Sequence, residues 1–368
     1  MLLRVNNIKM PIDASVDDVF ESAAKLIKLN NNKIASQKVI KRSIDARRGE
    51  VQFVYSVLIE TNEHISLKNP NISEVKEEKF ILQKGNKKLL HRPVVVGFGP
   101  CGMFCALTLA REGFCPIVIE RGKNVDERTC AVNDFWHGGA LDENSNVQFG
   151  EGGAGTFSDG KLTTRIGDRF CDSVLEDFVK FGAPSDILYN AMPHIGTDVL
   201  KNVVKNIREE IISLGGKICF NTTLSDITVK NGKITSLELS NGETLPCEVL
   251  VLAIGHSARD TYKMLFKKGI EMIQKPFSVG FRIEHLREQI DRAMYGKYAG
   301  HPALGAATYK LSYREGDIGC YSFCMCPGGS VVLASSEEGT VVVNGMSERA
   351  RDNINSNSAI CVNVSGGY

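Results

Sequence analysis

A short apolar strand that runs straight into a glycine-rich turn, Pro93-Val94-Val95-Val96-Gly97-Phe98-Gly99-Pro100-Cys101-Gly102, constrains this chain more than any other segment. Behind it, Met103 to Arg111 reads as a helix with the small residues Ala106 and Ala110 on the side that must approach a sheet. A second strand, Pro116 to Ile119, then ends on Glu120, with 17 residues between Gly102 and that glutamate. Each part has a physical job in dinucleotide binding. Gly97 permits the tight turn, Gly99 lets the backbone approach a pyrophosphate, and Gly102 lets helix and strand pack closely. The helix N-terminus offers free N–H groups and the positive end of a dipole to a diphosphate. Glu120 can accept hydrogen bonds from both hydroxyls of an adenosine ribose. Pro100, in the turn, and Arg121, beside the acid, complete this set of cofactor-binding candidates. Glycines kept only for packing are the alternative, but strand, turn, helix, second strand and terminal acid agree with one another.

A chain of 368 residues is long enough for two or three domains and a sizeable core. The formal net charge of +1 argues against bulk attraction to nucleic acid or membranes, and a small-molecule substrate is the expected partner. It hides an asymmetry: residues 1–92 carry 17 Lys+Arg against 11 Asp+Glu, a net +6, which leaves −5 for the remainder. The Met1 end, with charges at Arg4 and Lys9, lacks the apolar core of a secretory signal. The longest uncharged run, Pro93 to Ala110, contains three glycines and two prolines and reads as strand, turn and helix, not as a membrane helix. Eleven scattered cysteines, an odd number, fit reduced cytoplasmic thiols better than a disulfide framework, so a cytoplasmic protein is expected.

Three regions follow. Residues 1–90 read as a small α+β module, with strands at Leu2–Val5, Val39–Ile44 and Val51–Ile59 and a helix over Asp17–Leu29. Its basic residues Lys38, Lys41, Arg42, Arg47 and Arg48 suit either an acidic partner or RNA, or simply a solvated face. Lys84 to Arg92 is the expected linker. Residues 91–262 read as a Rossmann-like domain with a helical insertion at about 166–214. Helices are expected at Val125–Leu141 and Thr197–Leu214, the second stopped by Gly215-Gly216. A meander of strands Lys217–Phe220, Leu224–Lys230 and Lys233–Leu239 follows, with type I′ turns expected at Asn231-Gly232 and Asn241-Gly242. An apolar strand, Cys247–Ala253, then ends at Gly255. Residues 263–368 read as a substrate domain. The fold class is therefore α/β: a flavin-binding Rossmann variant with a β-meander and an inserted α+β substrate domain, preceded by the small α+β module. A second GxGxxG-plus-acid unit is absent, which argues against a separate nicotinamide domain.

Several segments carry candidate chemistry. In Phe149-Gly150-Glu151-Gly152-Gly153-Ala154-Gly155-Thr156-Phe157-Ser158-Asp159-Gly160-Lys161, five glycines expose backbone N–H groups, and Thr156 and Ser158 add hydroxyls. Gly152, Gly153, Gly155, Ser158 and Lys161 are cofactor-binding candidates there, and Lys161 can place positive charge near a flavin N1–O2 edge. A flexible loop with a surface lysine is the alternative. Gly255, His256 and Arg259 follow the last apolar strand, where α/β ligands bind. His256 suits an acid–base role and Arg259 an anion clamp, unless they only cap the next helix. Arg282 and Glu284 share a strand face, for a polar substrate group or a cross-strand ion pair. Cys320, Cys324 and Cys326 have neither zinc nor iron–sulfur spacing. Buried free thiols are the default for them, with a redox thiol at Cys324 facing a flavin as the sharper alternative.

Taken together, the Val96–Gly102 turn, Phe149–Lys161, Gly255–Asp260, Phe281–His285, Ser322–Gly329 and Asn344-Gly345-Met346-Ser347 resemble a bacterial family of FAD-dependent oxidoreductases, often labelled NAD(FAD)-utilising dehydrogenases. The resemblance covers nearly the whole chain. It implies FAD and a glutathione-reductase-like flavin domain carrying an inserted substrate domain, with reduced nicotinamide (NADH or NADPH) as a transient electron donor. It implies no particular substrate. Proteins of this type return to the flavin domain through a late strand ending in Gly-Asp. Nothing between Ser330 and Tyr368 does so, and a C-terminally incomplete substrate domain is the expectation. Two other readings stay open: an RNA- or partner-binding flavoprotein using the basic module, and a Rossmann unit filled by NAD.

Overall fold

The computed structural model describes residues 1–76, 82–83, 85–164, 166, 168 and 170–364. One residue of the expected linker, residue 84, and the chain end at 365–368 lie outside the described residues. At the N-terminus, β1 (Leu2–Pro11) buries Leu3, Val5 and Ile8, and a bulge at Asn7, with φ 58°, resets the alternation between Val5 and Ile8. Helix α1 (Val16–Ile27) starts at Ser15, whose hydroxyl accepts from Asp18 N–H while the Asp18 carboxylate accepts from Ser15 N–H at 2.8 Å. Strands β2 (Ile34–Asp45), β3 (Gln52–Thr61) and β4 (Ile72–Glu74) complete an antiparallel sheet of order β2-β3-β1-β4. The core of this sheet is shared: Tyr295, Leu304 and Ala307, from far along the chain, pack into it.

The central layer is a parallel sheet, and its two faces follow from strict side-chain alternation. Strand β5 (Val94–Val96) leads into α2 (Pro100–Arg111), and β6 (Ile117–Ile119) into α3 (Val125–Trp136). Helices α4 (Phe170–Lys180) and α5 (Thr197–Ser213) precede β7 (Lys217–Cys219). The meander is β8 (Leu224–Lys230), β9 (Lys233–Leu239) and β10 (Thr244–Pro246), after which β11 (Leu250–Leu252) closes the sheet in the order β11-β5-β6-β7. Val95 and Val118 point to one side, where Ala106, Ala110, Val203, Ile207 and Ile211 of α2 and α5 cover them. Val94, Val96 and Ile119 point to the other, onto Leu224, Ile227, Leu237 and Leu239 of the meander. The small side chains of α2 are what allow its close approach.

Two sequence expectations are corrected in detail. Helix α3 stops five residues before Leu141, because Gly138 takes φ +95° and its N–H and that of Gly139 bond back to Phe135 O and Asp134 O, a Schellman stop. Asn231-Gly232 has both residues at positive φ, as a type I′ turn requires. In the second hairpin only Gly242 is left-handed, and its N–H bonds to Leu239 O, so this is a longer turn with the glycine at its end.

Beyond α6 (Arg259–Lys267), the chain forms β12 (Phe277–Leu286), α7 (Arg287–Tyr295), β13 (Ser312–Glu315), β14 (Ile318–Cys326), β15 (Ser330–Leu333), β16 (Val343–Met346) and β17 (Asn355–Val364). An antiparallel sheet of order β12-β17-β14-β13 and the β15-β16 hairpin make up this region. The whole is an α/β protein with a Rossmann-like sheet between helices and meander. No helix among the described residues is long and apolar enough to cross a membrane.

Candidate functional site

The three glycines of the first turn do different work. At Gly97, with φ +97°, a Cβ would lie 2.3 Å from Ala253 O, and at Gly102 it would lie 1.9 Å from Gly97 O. Both are demanded by the packing of turn, helix and β11. Gly99 is not: its φ of −74° suits any residue, and a Cβ there would meet only Gly153 Cα, at 3.7 Å. Gly99 and Gly153 thus form a floor of bare backbone. Pro100 occupies the first turn of α2, and Gly99 supplies no capping side chain to its N–H groups.

The Glu120 carboxylate sits at the mouth of this turn. One oxygen accepts the Phe98 N–H at 2.6 Å, and the other accepts Gly122 N–H and Gly150 N–H, each at 2.9 Å. The acid therefore ties the first glycine turn to the second while still lining the groove between them. That groove is continuous. A cleft of ≈ 360 Å³ lined by Gly97, Gly99, Pro100, Gly153, Ala154 and Gly255 shares Glu120 and Phe149 with a narrow neck. The neck in turn shares Arg121, Thr223 and Thr261 with an outer cleft of ≈ 540 Å³ beside the meander. Arg121 lies 4.4 Å over the Phe149 ring and donates to Asp260 at 2.8 Å. His256 lines the inner cleft beside Gly255, which takes φ +70°. Arg259 points elsewhere and pairs with Glu337 at 2.6 Å on the surface.

The second glycine loop is held from inside by a residue that the sequence did not mark. Arg128 of α3 is wholly buried, and its guanidinium donates to the carbonyl oxygens of Asn146, Val147, Glu151 and Gly153. Burial draws its pKa down to about 10 against the pull of Glu120 and Glu151. Gly150 makes room for it, since a Cβ there would fall 2.4 Å from Arg128 Cδ. Glu151 is buried as well; desolvation pushes its pKa up, although it accepts Val125 N–H at 2.7 Å and pairs with Arg208 at 3.0 Å. Among the candidates, Gly152 faces Thr156 and Val204 of α5, Gly155 has open space at its Cβ position, and the Ser158 hydroxyl donates to Gly155 O at 3.0 Å.

Lys161, at the loop's far end, belongs to a different cluster. Its Nζ lies 3.1 Å from Asp159 and 3.4 Å from Cys326 Sγ. Asp159 is buried; burial opposes its charge, yet Lys161, Arg351 and the Ser347 hydroxyl hold its pKa below the usual carboxylate value. Cys324 sits beside Cys326 on β14, and Arg282 of β12 donates to Cys324 O at 3.1 Å and to Asn357 Oδ1 at 2.7 Å. Arg282 and Glu284 do not pair with each other. The structure thus brings Gly97, Gly99, Pro100, Glu120, Arg121, Gly153, Gly255 and His256 to one groove. Lys161 and Cys324 belong to a second polar cluster, built around the buried Asp159 and Cys326. Arg351 and Ser347 are the residues of that cluster that sequence reasoning did not assign a role.

Comparison with known proteins finds family matches for three stretches of the chain. Residues 91–261 match the family described as pyridine nucleotide-disulphide oxidoreductase, and residues 276–367 match one described as FAD-dependent protein, C-terminal domain-like. Residues 2–60 match a domain of unknown function. An uncharacterized protein of Clostridium beijerinckii is 50% identical over 374 aligned residues, covering 99% of this chain and 70% of that protein. Solved structures with a distant likeness include Thermovibrio ammonificans THI4 (TM-score 0.34, 16% identity, 49% of this chain and 64% of that one). Another is PqsL of Pseudomonas aeruginosa, a probable FAD-dependent monooxygenase (TM-score 0.37, 12% identity, 74% and 60%). A third is the tetracycline destructase Tet(51) (TM-score 0.33, 12% identity, 76% and 58%). The chain spans less than two thirds of the length of these three structures.

Proposed function

The chain belongs to a family of FAD-dependent oxidoreductases, and from that premise we propose that it is a dehydrogenase whose groove holds FAD, with electrons delivered by a transiently bound reduced nicotinamide. The observation that carries the assignment is the pairing of bare backbone with a carboxylate. Gly99 leaves bare backbone over Gly153 that no packing demand at Gly99 explains, and Glu120 stands at its edge. In this reading the floor and the uncapped N-terminus of α2 hold the diphosphate, Glu120 the adenosine ribose, and the outer cleft near Arg121 and Thr223 the adenine. Gly153 and Ala154 lead toward the flavin side. The inner and outer clefts lie within the range that cofactor sites occupy.

Bound there, FAD supplies a two-electron acceptor, and the chain supplies orientation and charge. Glu120 keeps the two glycine loops at one spacing, Arg128 keeps the second loop rigid, and His256 offers an imidazole at the cleft wall. Denaturing the purified protein and identifying the released ligand by mass spectrometry tests the assignment: FAD is expected, whereas NAD or no nucleotide overturns it. Anaerobic mixing of flavin-loaded protein with NADH or NADPH tests the donor, for which bleaching of the flavin absorbance is expected.

A further inference from the structure

The polar cluster at the end of the second glycine loop is built like a thiol redox site. Strand β14 does not run regularly through Cys324-Met325-Cys326. Its pairing with β17 slips between Phe323 and Cys326, and Cys324 takes φ +48°, a left-handed conformation that costs a non-glycine residue about 1 kcal/mol or more. A regular strand holds residues i and i+2 about 6.6 Å apart with parallel side chains, at the far edge of what a disulfide can bridge. The bulge breaks that geometry. The Cys326 thiol donates to Cys324 O at 3.4 Å, so the bulge folds the second cysteine back over the first.

The surroundings favour a thiolate. Lys161 Nζ is 3.4 Å from Cys326 Sγ, and the Arg282 guanidinium reaches across to Cys324 O. Asp159 pairs with Lys161 as well as with Arg351 and Ser347 and works against charge on Cys326. His194 adds no charge at neutral pH, since burial and Arg351 hold its pKa at about 4. The adjoining Cys326 thiol, together with Lys161 and Arg282, outweighs burial and brings the first proton of the pair off well below the ordinary thiol range; the same closeness and burial push the second loss up. Space has been left as well. A Cβ on Gly345 would fall 2.7 Å from Cys326 Sγ, 2.6 Å from Arg282 and 2.5 Å from Asn357. Asn357 is fully buried, yet its Nδ2 has no partner, and neither has Arg282 Nε. Asn357 stands opposite Cys326 across the β14–β17 pairing.

We propose that Cys324 and Cys326 are a redox-active dithiol that reduces small disulfides, with Cys324 as the attacking sulfur and Cys326 as the resolving one. Cys324 is partly exposed and Cys326 is buried, which sets the order of the two roles. The Cys324 thiolate attacks one sulfur of R–S–S–R, forming a mixed disulfide and expelling RS⁻, which takes a proton from solvent. Cys326 then gives up its proton, its sulfur attacks Cys324 Sγ, and the second RS⁻ leaves and takes that proton. The net change converts one disulfide and the dithiol into two RSH and a Cys324–Cys326 bridge. Lys161 is a positioning residue that stabilises the thiolate. The inference does not depend on FAD occupying the groove, and its test reads the thiols directly.

The test uses the full chain, carrying Cys320→Ser so that Cys320 cannot compete, with oxidised glutathione as the probe. Peptide mass spectrometry is expected to find the 324–326 segment short of two hydrogens. With Cys326→Ser added, glutathione is expected to stay attached at Cys324. In Lys161→Met, the midpoint of the pH profile for alkylation of Cys324 is expected to move up by about one unit, and Lys161→Arg is expected to restore it. Should the variants misfold, the pH profile of alkylation in the parent still decides: Cys324 must react at lower pH than the exposed Cys101 and Cys130. A 324–326 segment that stays unbridged, or a Cys324 profile that follows Cys101, overturns the proposal.

Discussion

Replacing Arg128 with methionine keeps most of the side chain's length and removes every donor from the interior of the second glycine loop. Four carbonyl oxygens, those of Asn146, Val147, Glu151 and Gly153, lose their partner at once. A hydrogen bond from a charged donor contributes about 1.5–3 kcal/mol, and a buried carbonyl left without a partner costs about 1–3 kcal/mol. Two effects reduce the sum. Water reaches part of the loop once it loosens, and burying the guanidinium carries its own desolvation cost, the same burial that draws its pKa down to about 10. The net loss is roughly 2–4 kcal/mol, a large share of the about 5–15 kcal/mol that keeps a domain folded.

Urea unfolding of Arg128→Met should show this loss as a lower midpoint. Hydrogen exchange should place it in the loop, with the Gly150 and Gly152 amides, bonded to Glu120 and to Phe98 O, losing protection first. Arg128→Lys keeps the charge, but one ammonium cannot serve four carbonyls spread along the loop, so it should also be destabilised. An Arg128→Met protein that unfolds within about 0.5 kcal/mol of the parent, with unchanged exchange at these glycines, would refute the clamp.

Gly102→Ala should lower the unfolding midpoint sharply, because its methyl would sit 1.9 Å from Gly97 O. Gly99→Val should unfold like the parent and instead retain less FAD on purification; equal effects of the two substitutions would remove the distinction between packing and ligand glycines. His194 contributes an acid-side dependence. Its pKa falls from 6.5 unfolded to about 4 folded, so the unfolded chain alone binds the proton between those values. Stability is therefore unaffected by this group above pH 6.5, declines as pH falls toward 4, and levels off below. His194→Gln, whose amide can still donate to Arg349 O, should flatten that part of a stability-against-pH curve measured by urea unfolding.

What the sequence makes legible here is what short-range physics determines. Val94–Val96 can be placed because three consecutive β-branched residues before Gly97 leave little choice but a buried strand, and α2 because Ala106 and Ala110 recur at helical spacing. The end of α3 is not legible, because its stop lies in the Gly138-Gly139 Schellman geometry, which apolar periodicity does not register. Arg128 was missed for a stronger reason. An arginine in the middle of an amphipathic helix has the same local pattern whether it is solvated or, as here, forks into a loop 18 to 25 residues downstream. Burial of a charged group depends on which carbonyls converge on it, and that is a tertiary fact.

The Gly150–Lys161 segment shows how one local motif can conceal two sites. Read along the chain it is a single glycine-rich stretch, and a single cofactor contact is the natural inference. In space its beginning, at Gly153 and Ala154, lines the groove below Gly99, while its end turns toward residues that only the return of the chain supplies: Cys324 and Cys326 from β14, Ser347 after β16, and Arg351 beyond it. Asp159 is the joint between them. Its partners Ser347 and Arg351 lie 188 and 192 residues away, so no spacing rule could have joined them to it. Lys161 is held beside the thiol pair by that buried carboxylate and not by its own loop alone. Charge placed there lies 3.1 Å from a carboxylate and 3.4 Å from a sulfur, contacts that its sequence context alone does not suggest.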